Sequence, residues 1–427
     1  MSMKDFIPAP LRRLPRDGLV LFLTRFTRLF AYGALSVVLV FYLVSLGLTE
    51  AQVGLLLSLT LAGDIAISLV LTTRADRLGR RRMLIVGAIL MAGAGIAFAS
   101  TRSLLFLIIA GTIGVISPSG HEVGPFLSIE QSALSHVVPA RSRTEVFAWY
   151  TLAGSVATAL GALDGGAAAG LAQQTFLSSS DSYRMVVLLY AALGLTLVFL
   201  FTRLSSATEV ATGDMETNTA VSTKHFLGVR RSRSIVLKLA SLFALDSFGG
   251  GFVVQSFAAY WFYLRFGIPS TRLGVIFFSA NLLAGISAVF ASRLATRIGL
   301  VRTMVVTHLP SNVLLILVPL MPNLKLAVLV LLVRFSISQM DVPTRQSYTL
   351  ALVCPEERSA AGGITGVART AGAAISPIFA GFLFSRPMLI DVPFFIAGTL
   401  KIVYDLALYR GFAAVRPPEE THSLPLN

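Results

Sequence analysis

Three ionisable side chains, His121, Glu122 and Glu130, lie in a stretch whose residue types could bind a polar ligand or carry a proton. An imidazole and two carboxylates exchange hydrogen bonds with a ligand, and each changes charge when it binds a proton. Their segment, residues 116–131, reads ISPSGHEVGPFLSIEQ and interrupts an apolar run that begins near Leu104. About twelve helical residues at 1.5 Å each reach just past the middle of a ~30 Å hydrocarbon core. We therefore predict a transmembrane helix that is broken in mid-membrane, beside a water-filled substrate path.

The composition is typical of an integral membrane protein. Of the 427 residues, 55% are hydrophobic and 13% are charged, about half the charged fraction of a soluble protein. The net charge of +14 does not indicate nucleic acid binding, because the lysines and arginines lie in short runs between apolar segments. The single cysteine, Cys354, excludes a disulfide framework and a cysteine-based metal cluster.

The motifs of ATP-driven pumps and membrane metalloenzymes are absent from the sequence. It contains no GxxxxGKS/T phosphate loop and no HExxH motif. We therefore expect no cofactor, no metal and no catalytic residues. A secondary transporter is the leading interpretation, and a membrane-embedded enzyme or receptor is the alternative from another class.

The second half of the chain repeats the first. Residues 77–79, Arg-Leu-Gly, match residues 297–299, Arg-Ile-Gly, at a separation of 220. Residues 131–132, Gln-Ser, match residues 346–347 at a separation of 215. The first half therefore holds about five extra residues, which the alignment places inside the broken segment.

Hydropathy predicts twelve membrane-spanning helices in two bundles of six, an all-α integral membrane fold. The N-terminal bundle covers residues 1–203 and the C-terminal bundle residues 234–410, with a polar linker at 204–233 and a tail at 411–427. The linker, both tails and four loops on one side carry the basic residues. The positive-inside rule then places both termini in the cytoplasm and the chain in the cell membrane, meaning an inner or plasma membrane.

The loop between predicted spans 2 and 3 is strongly basic. It reads RADRLGRRRML over residues 74–84 and resembles the loop signature of the major facilitator superfamily. The matching positions are Asp76, Arg77, Gly79, Arg80 and Arg81. Gly63-Asp64 stands earlier than the leading glycine and aspartate of that family. The resemblance covers essentially the whole chain and implies two pseudo-symmetric bundles, a central cavity lined by spans 1, 4, 7 and 10, and a loop that gates the cycle without contacting cargo.

Charged residues inside the spans are costly in lipid and therefore predict function. Span 10 offers Arg334, Asp341 and Arg345. Glu130 and Arg345 occupy equivalent positions of the repeat, 215 residues apart, so we predict an ion pair between the halves. The alternative is that each pairs within its own half, since an unpaired buried charge is unfavourable.

Spans 7 and 11 add further candidates. Gln255 and Phe257 are predicted to line the cavity, whereas Trp261 and Tyr263 are predicted to lie at the outer membrane interface. Arg369 lies several residues inside span 11 and requires a carboxylate, a substrate anion or the interface as its partner.

Spans 1 and 5 also carry charges. Arg25 and Arg28 are expected to reach the cytoplasmic surface along their aliphatic stems. Asp164 lies within Gly161–Gly166, which resembles part of the antiporter motif of drug-exporting facilitators but lacks its proline.

The resemblance favours a proton-coupled antiporter that exports a small organic molecule. Arg345 and Arg369 favour an anionic or zwitterionic cargo, because guanidinium binds carboxylate or phosphate with two hydrogen bonds. The alternative is a proton symporter that imports an organic anion. Glu122 is the predicted proton carrier and His121 its partner or a cargo contact, unless both only hydrogen-bond the backbone of the break. The expected partners are a small-molecule substrate, protons and the lipid bilayer, and we expect a monomer.

Overall fold

The computed structural model describes residues 14–122, 124–139, 142–175, 177–209, 231–354, 357–413 and 415. Most of the predicted linker, most of the C-terminal tail and Arg141 lie outside these residues. The α-helices of the first half are α1 (Arg16–Ser45), α2 (Glu50–Leu78), α3 (Arg80–Ser100), α4 (Leu104–Ile113), α5 (Phe126–Val137), α6 (Arg143–Gln174) and α7 (Ser179–Thr202). Those of the second half are α8 (Arg233–Gly251), α9 (Gln255–Phe266), α10 (Ser270–Ile298), α11 (Leu300–Leu317), α12 (Leu324–Phe335), α13 (Asp341–Ala351), α14 (Arg358–Phe384) and α15 (Val392–Phe412).

Ten helical stretches of the described chain are long and apolar enough to cross a membrane. One of them, Arg233–Phe266, runs through α8 and α9 together. The fourth and tenth predicted spans are each divided into two short helices, α4 with α5 and α12 with α13. The all-helical membrane fold is thus confirmed, and the count of twelve spans stays a prediction.

The predicted break in the fourth span is confirmed at residues 114–125, between α4 and α5. Gly120 and Gly124 adopt φ angles of +72° and +80°, which L side chains rarely adopt. The Ser117 hydroxyl donates to the His121 carbonyl at 2.7 Å and satisfies one of the freed backbone groups. Glycine and local hydroxyls therefore hold the break open inside the membrane.

The tenth span is also broken, at residues 336–340, which the sequence analysis did not predict. The first helices of the two broken spans, α4 and α12, begin 220 residues apart, and the second helices, α5 and α13, begin 215 apart. The extra residues of the first half therefore lie inside its break, as predicted. A further interruption at residues 252–254 follows the glycine run 249–251, because glycine is a weak helix former.

The helices form two compact units that do not follow the sequence halves strictly. The first unit comprises Met1–Leu48, Ala62–Thr219 and Ile268–Phe278, and the second comprises Thr49–Leu61, Ala220–Gly267 and Ser279–Asn427. Each unit thus includes one short segment from the opposite half of the sequence. In both cases glycine backbones pack so closely that a Cβ atom would not fit, at Gly54 against Gly381 and at Gly274 against Gly166.

Helix α9 is buried along most of its length, which corrects two predictions. Trp261 is fully buried and donates a hydrogen bond to Asp391 at 2.8 Å, so it packs inside the bundle and does not face lipid. Phe257 is also fully buried and stacks on Phe384 with ring centroids 5.1 Å apart, so it packs the bundle and lines no open surface. Tyr263 is exposed, together with its neighbours Leu264 and Arg265.

Candidate functional site

Two arginines and two glutamates form a compact cluster in the first unit, which we call the first ion cluster. Arg25 Nη1 lies 2.7 Å from Glu122 Oε1, and Arg28 Nη2 lies 3.1 Å from the same oxygen. Arg28 also donates to both carboxylate oxygens of Glu130, at 2.7 and 2.8 Å. Because guanidinium can donate two parallel hydrogen bonds to one carboxylate, the contact of Arg28 with Glu130 is strong and directional. Two cations face two anions, so the cluster is neutral as a whole.

The two glutamates of the first ion cluster differ in accessibility. Glu130 is 0% exposed and accepts further hydrogen bonds from the Thr24 hydroxyl at 2.8 Å and the Tyr150 hydroxyl at 2.5 Å. The Glu122 side chain is 17% exposed and lies in the break of the fourth span. Glu122 is therefore the carboxylate that a ligand or a proton can reach.

The expectation that Arg25 and Arg28 reach the membrane surface is wrong. Both are buried, with aromatic rings under their guanidinium groups, Tyr150 at 4.4 Å from Arg25 and Phe126 at 4.7 Å from Arg28. Carboxylates from the broken fourth span neutralise both guanidinium groups where they lie, so the side chains need not extend to the cytoplasmic surface.

A second ion cluster lies in the second unit, around Asp246 of α8. Lys401 Nζ donates to Asp246 Oδ1 at 2.6 Å, and Arg345 Nη1 donates to Asp246 Oδ2 at 3.0 Å. The same Arg345 nitrogen lies 3.2 Å from Asp341 Oδ2. All four residues are buried, and they join α8, α13 and α15.

The second ion cluster continues into residues that the sequence analysis missed. His308 of α11 contacts Asp405 through Nδ1 at 2.8 Å and faces Asp246 through Nε2 at 3.7 Å. The Asn312 amide donates to Asp405 at 2.9 Å. The missed signal was available, because Lys401 and Asp405 are two charges one helical turn apart inside an apolar span, and His308 is a third in another.

Glu130 and Arg345 each have a counter-ion within their own unit, as the alternative predicted. Glu130 pairs with Arg28 in the first unit, and Arg345 pairs with Asp246 and Asp341 in the second. Each bundle supplies the opposite charge from its own first spanning helix, α1 or α8. A counter-ion within 3 Å in the same bundle removes the need for one from the other half.

The remaining candidates lie at varied depths. Gln255 is buried and accepts a hydrogen bond from the Asn281 amide at 3.1 Å. His121, Asp164 and Arg77 are exposed, while Arg369 is half-buried. The structure therefore brings Glu122 and Glu130 together in the first unit, and Asp341 and Arg345 together in the second.

The basic loop between α2 and α3 is held by two acidic side chains. Arg80 Nε donates to Asp76 Oδ1 at 2.9 Å. The backbone N–H groups of Arg80 and Arg81 donate to the Glu209 carboxylate at 2.7 and 3.1 Å, which caps the positive end of α3. Gly79 turns the chain with a φ angle of +101°. Glu209, at the start of the predicted linker, is a loop contact that sequence reasoning did not identify.

Known proteins resemble the chain over most of its length. The sequence matches the Major Facilitator Superfamily over residues 21–377. The uncharacterized membrane protein YJR124C of Saccharomyces cerevisiae (strain ATCC 204508 / S288c) is 33% identical over 425 residues, which cover 94% of this chain and 95% of the relative. The solved nucleoside transporter NupG is similar in fold, with a TM-score of 0.72 and 13% identity over 93% of this chain and 99% of that one. A D-xylose-proton symporter is similar at a TM-score of 0.71, with 15% identity over 96% of this chain and 99% of that one.

Proposed function

Because the chain belongs to the Major Facilitator Superfamily, we propose that it exports a small organic anion or zwitterion in exchange for protons. Membership makes the chain a multi-pass membrane protein and a secondary transporter of small substrates. The direction, the coupling to protons and the charge of the cargo are the proposed part. In this proposal both termini lie on the cytoplasmic side of the cell membrane, as the distribution of basic loops favours. The protein is also proposed to act as a monomer.

The observation that supports an anionic cargo is a pair of arginines without counter-ions in the second unit. Arg334 of α12 and Arg369 of α14 are half-buried, and the Nε atom of each is buried without a hydrogen-bond partner. Neither takes part in the ion pairs found among the described residues. Arg345, the other arginine predicted to bind cargo, is already paired with Asp246. Arg369 and Arg334 are therefore two half-buried guanidinium groups that can accept a carboxylate or phosphate.

The face of α14 next to Arg369 supports the same assignment. Its N-terminal half carries Gly362, Gly363 and Gly366, and a Cβ atom at any of them would meet no neighbouring atom within 4 Å. Both arginines lie within electrostatic range of Asp246, so a bound anion would share the field of the second ion cluster. A small organic acid can thus approach the backbone of α14 while its charged group reaches a guanidinium.

Proton coupling is assigned to Glu122. Its partial exposure lets water reach the carboxylate, and its contacts with Arg25 and Arg28 depend on its negative charge. A proton on Glu122 would weaken its contact with Arg25 and its three hydrogen bonds from Arg28, and Arg28 would keep Glu130. Protonation would therefore loosen α1 from the break of the fourth span, which is a structural change that a transport cycle can use.

A growth assay tests the direction of transport. A strain that lacks the gene is grown on a panel of toxic organic acids, zwitterions and cations, and uptake of each hit is then measured. Sensitisation confined to anionic or zwitterionic compounds supports export. Acquired resistance to an organic acid would instead establish import, and sensitivity to cations alone would exclude the anionic cargo.

Glu122→Gln tests the coupling, because it preserves the shape and removes the titration. Vesicles that contain this variant should bind a hit compound but no longer concentrate it under a pH gradient. Glu145→Gln, an exposed carboxylate in the first turn of α6, is the control and should concentrate the compound normally. If Glu122→Gln concentrates the compound at the wild-type rate, the proton travels through another group.

A further inference from the structure

Asp64 of α2 is a buried carboxylate that the first ion cluster does not use. It is 4% exposed, and its Oδ1 atom has no hydrogen-bond partner among the described residues. None of the ion pairs in the described part of the chain includes it. A carboxylate without a cation in a nonpolar interior is far more stable as the neutral acid.

The internal repeat shows that packing does not require an acid at this position. Helices α2 and α10 begin 220 residues apart and have the same length, so Asp64 corresponds to Ala284. Ala284 is buried to a similar degree, at 5% exposure. A methyl group therefore fills the equivalent position of the second half, and the carboxyl of Asp64 needs a different explanation.

Close packing holds Asp64 against the break of the fourth span. The preceding residue, Gly63, lies so near the Thr112 carbonyl at the end of α4 that a Cβ atom would not fit. The polar groups that face the Asp64 carboxylate are the Gly124 backbone N–H, within the break, and the Ser68 hydroxyl one turn along α2. Asp64 thus lies beside the same break that carries Glu122.

Two tyrosines connect Asp64 to the first ion cluster. Tyr190 of α7 and Tyr32 of α1 both lie within electrostatic range of Asp64, and their rings stack with centroids 6.2 Å apart. Tyr190 donates its hydroxyl to the Val115 carbonyl in the break. Tyr32 is also within range of Arg28 and Glu122. These are the titratable and charged groups around Asp64 from α1, α7 and the broken span.

We propose that Asp64 is a second proton-binding site, which stores the transported proton while Glu122 is paired with Arg25 and Arg28. The proton leaves the Asp64 carboxyl and reaches the Glu122 carboxylate by way of the Tyr32 hydroxyl, and the first ion cluster then opens. One proton moves, Asp64 becomes the anion, Glu122 becomes the neutral acid, and Arg28 is left with one fewer carboxylate. The storage role of Asp64 rests on the proposed proton coupling. The inference that Asp64 is a neutral buried acid does not rest on that coupling.

Infrared difference spectroscopy of the full-length protein in lipid tests the neutral acid. A protonated carboxyl has a C=O stretching band that a carboxylate lacks, and we expect such a band in the wild type that fades as the pH is raised. Asp64→Asn should remove it, as should Asp64→Ala, which adopts the residue of the second half and keeps the test available if one variant folds poorly. Asp181→Asn, an exposed carboxylate at the start of α7, should retain it.

Three results would overturn the proposal. An unchanged band in both Asp64 variants would mean that another group is protonated. No band in the wild type would mean that Asp64 is ionised. A band that persists at every pH at which the protein stays folded would mean that Asp64 is a permanently neutral structural acid and stores no proton.

Transport by the same variants separates this inference from the proposed function. In vesicles, Asp64→Asn should fail to concentrate a hit compound, and its exchange rate should vary with pH by less than about threefold. If wild-type vesicles show no pH-driven accumulation, the proposed coupling fails even though the Asp64 band titrates. If accumulation by Asp64→Asn equals that of the wild type, the storage role fails and the coupling through Glu122 stands.

Discussion

The pairing of Arg28 with Glu130 predicts a specific pattern of compensation. Glu130→Gln leaves Arg28 buried with a weakened set of partners, and Arg28→Met strands Glu130 without a cation. The double variant Arg28→Met with Glu130→Gln removes one charge of each sign, and the Arg25 to Glu122 contact at 2.7 Å then remains as a balanced pair. We therefore expect the double variant to be more stable than either single variant.

The size of the effect follows from burial and distance. Both side chains are 0% exposed and joined by two hydrogen bonds of 2.7 and 2.8 Å. Charges about 4 Å apart attract by about 4 kcal/mol at an effective dielectric constant of about 20. Glu130→Gln should cost less, because Arg28 keeps Glu122. Arg28→Met should cost about 3–5 kcal/mol, since Glu130 then has no ion pair among the described residues and is not rehydrated. The double variant should recover about 2 kcal/mol of that loss.

Unfolding of purified protein in mixed micelles, titrated with SDS, measures these free energies. The control is Glu130→Gln with Arg345→Met, the pair that the repeat alone would suggest. The losses of unfolding free energy in the two single variants should add to within about 0.5 kcal/mol in this double variant, because the two residues pair with different partners. The reasoning fails if Arg28→Met with Glu130→Gln is no more stable than the worse single variant, or if the control pair compensates to the same extent.

Two further predictions concern cargo and gating. Arg369→Gln should raise the KM for an anionic hit compound by about tenfold or more, since a hydrogen bond to a charged group contributes about 1.5–3 kcal/mol. Arg386→Gln, an exposed arginine beyond the end of α14, should leave that KM unchanged, and equal effects of both would exclude Arg369 from the site. Asp76→Asn removes the negative charge from the 2.9 Å contact with Arg80 and should slow turnover severalfold with KM within a fewfold, as uptake at varied substrate concentration would show. A large rise in KM at unchanged turnover would contradict a gating role.

The break of the fourth span could be located from the sequence because it depends on local signals. Glycines 120 and 124, between two prolines, interrupt an apolar run, and the repeat offset changes across the same residues. The break of the tenth span has a weaker signal. Its residues 336–340, SISQM, contain neither glycine nor proline, but Pro343 follows in the first turn of α13, and its ring disfavours a helix through the preceding turn.

The pairing of charges could not be predicted from the repeat, because equivalent positions need not face each other. The repeat correctly identifies Glu130 and Arg345 as equivalent positions, but it does not give the distance between their side chains. What decided the outcome was the charge on the first spanning helix of each bundle, Arg28 in α1 and Asp246 in α8. Most of these residues could be identified from the sequence, because charges inside a membrane span are costly. Their partners could be assigned only from the distances in the structure.

The reversed signs of the two ion clusters also affect how the chain assembles after insertion. In the first bundle the opening helix is cationic and its partner from the broken span is anionic, whereas in the second bundle Asp246 is the anion and Arg345 the cation. A helix α8 that docked by mistake in the place of α1 would set Asp246 against Glu130, and like charges in lipid repel strongly. The reversed signs therefore disfavour an exchange of α1 and α8 between the two bundles, although the two halves share one architecture.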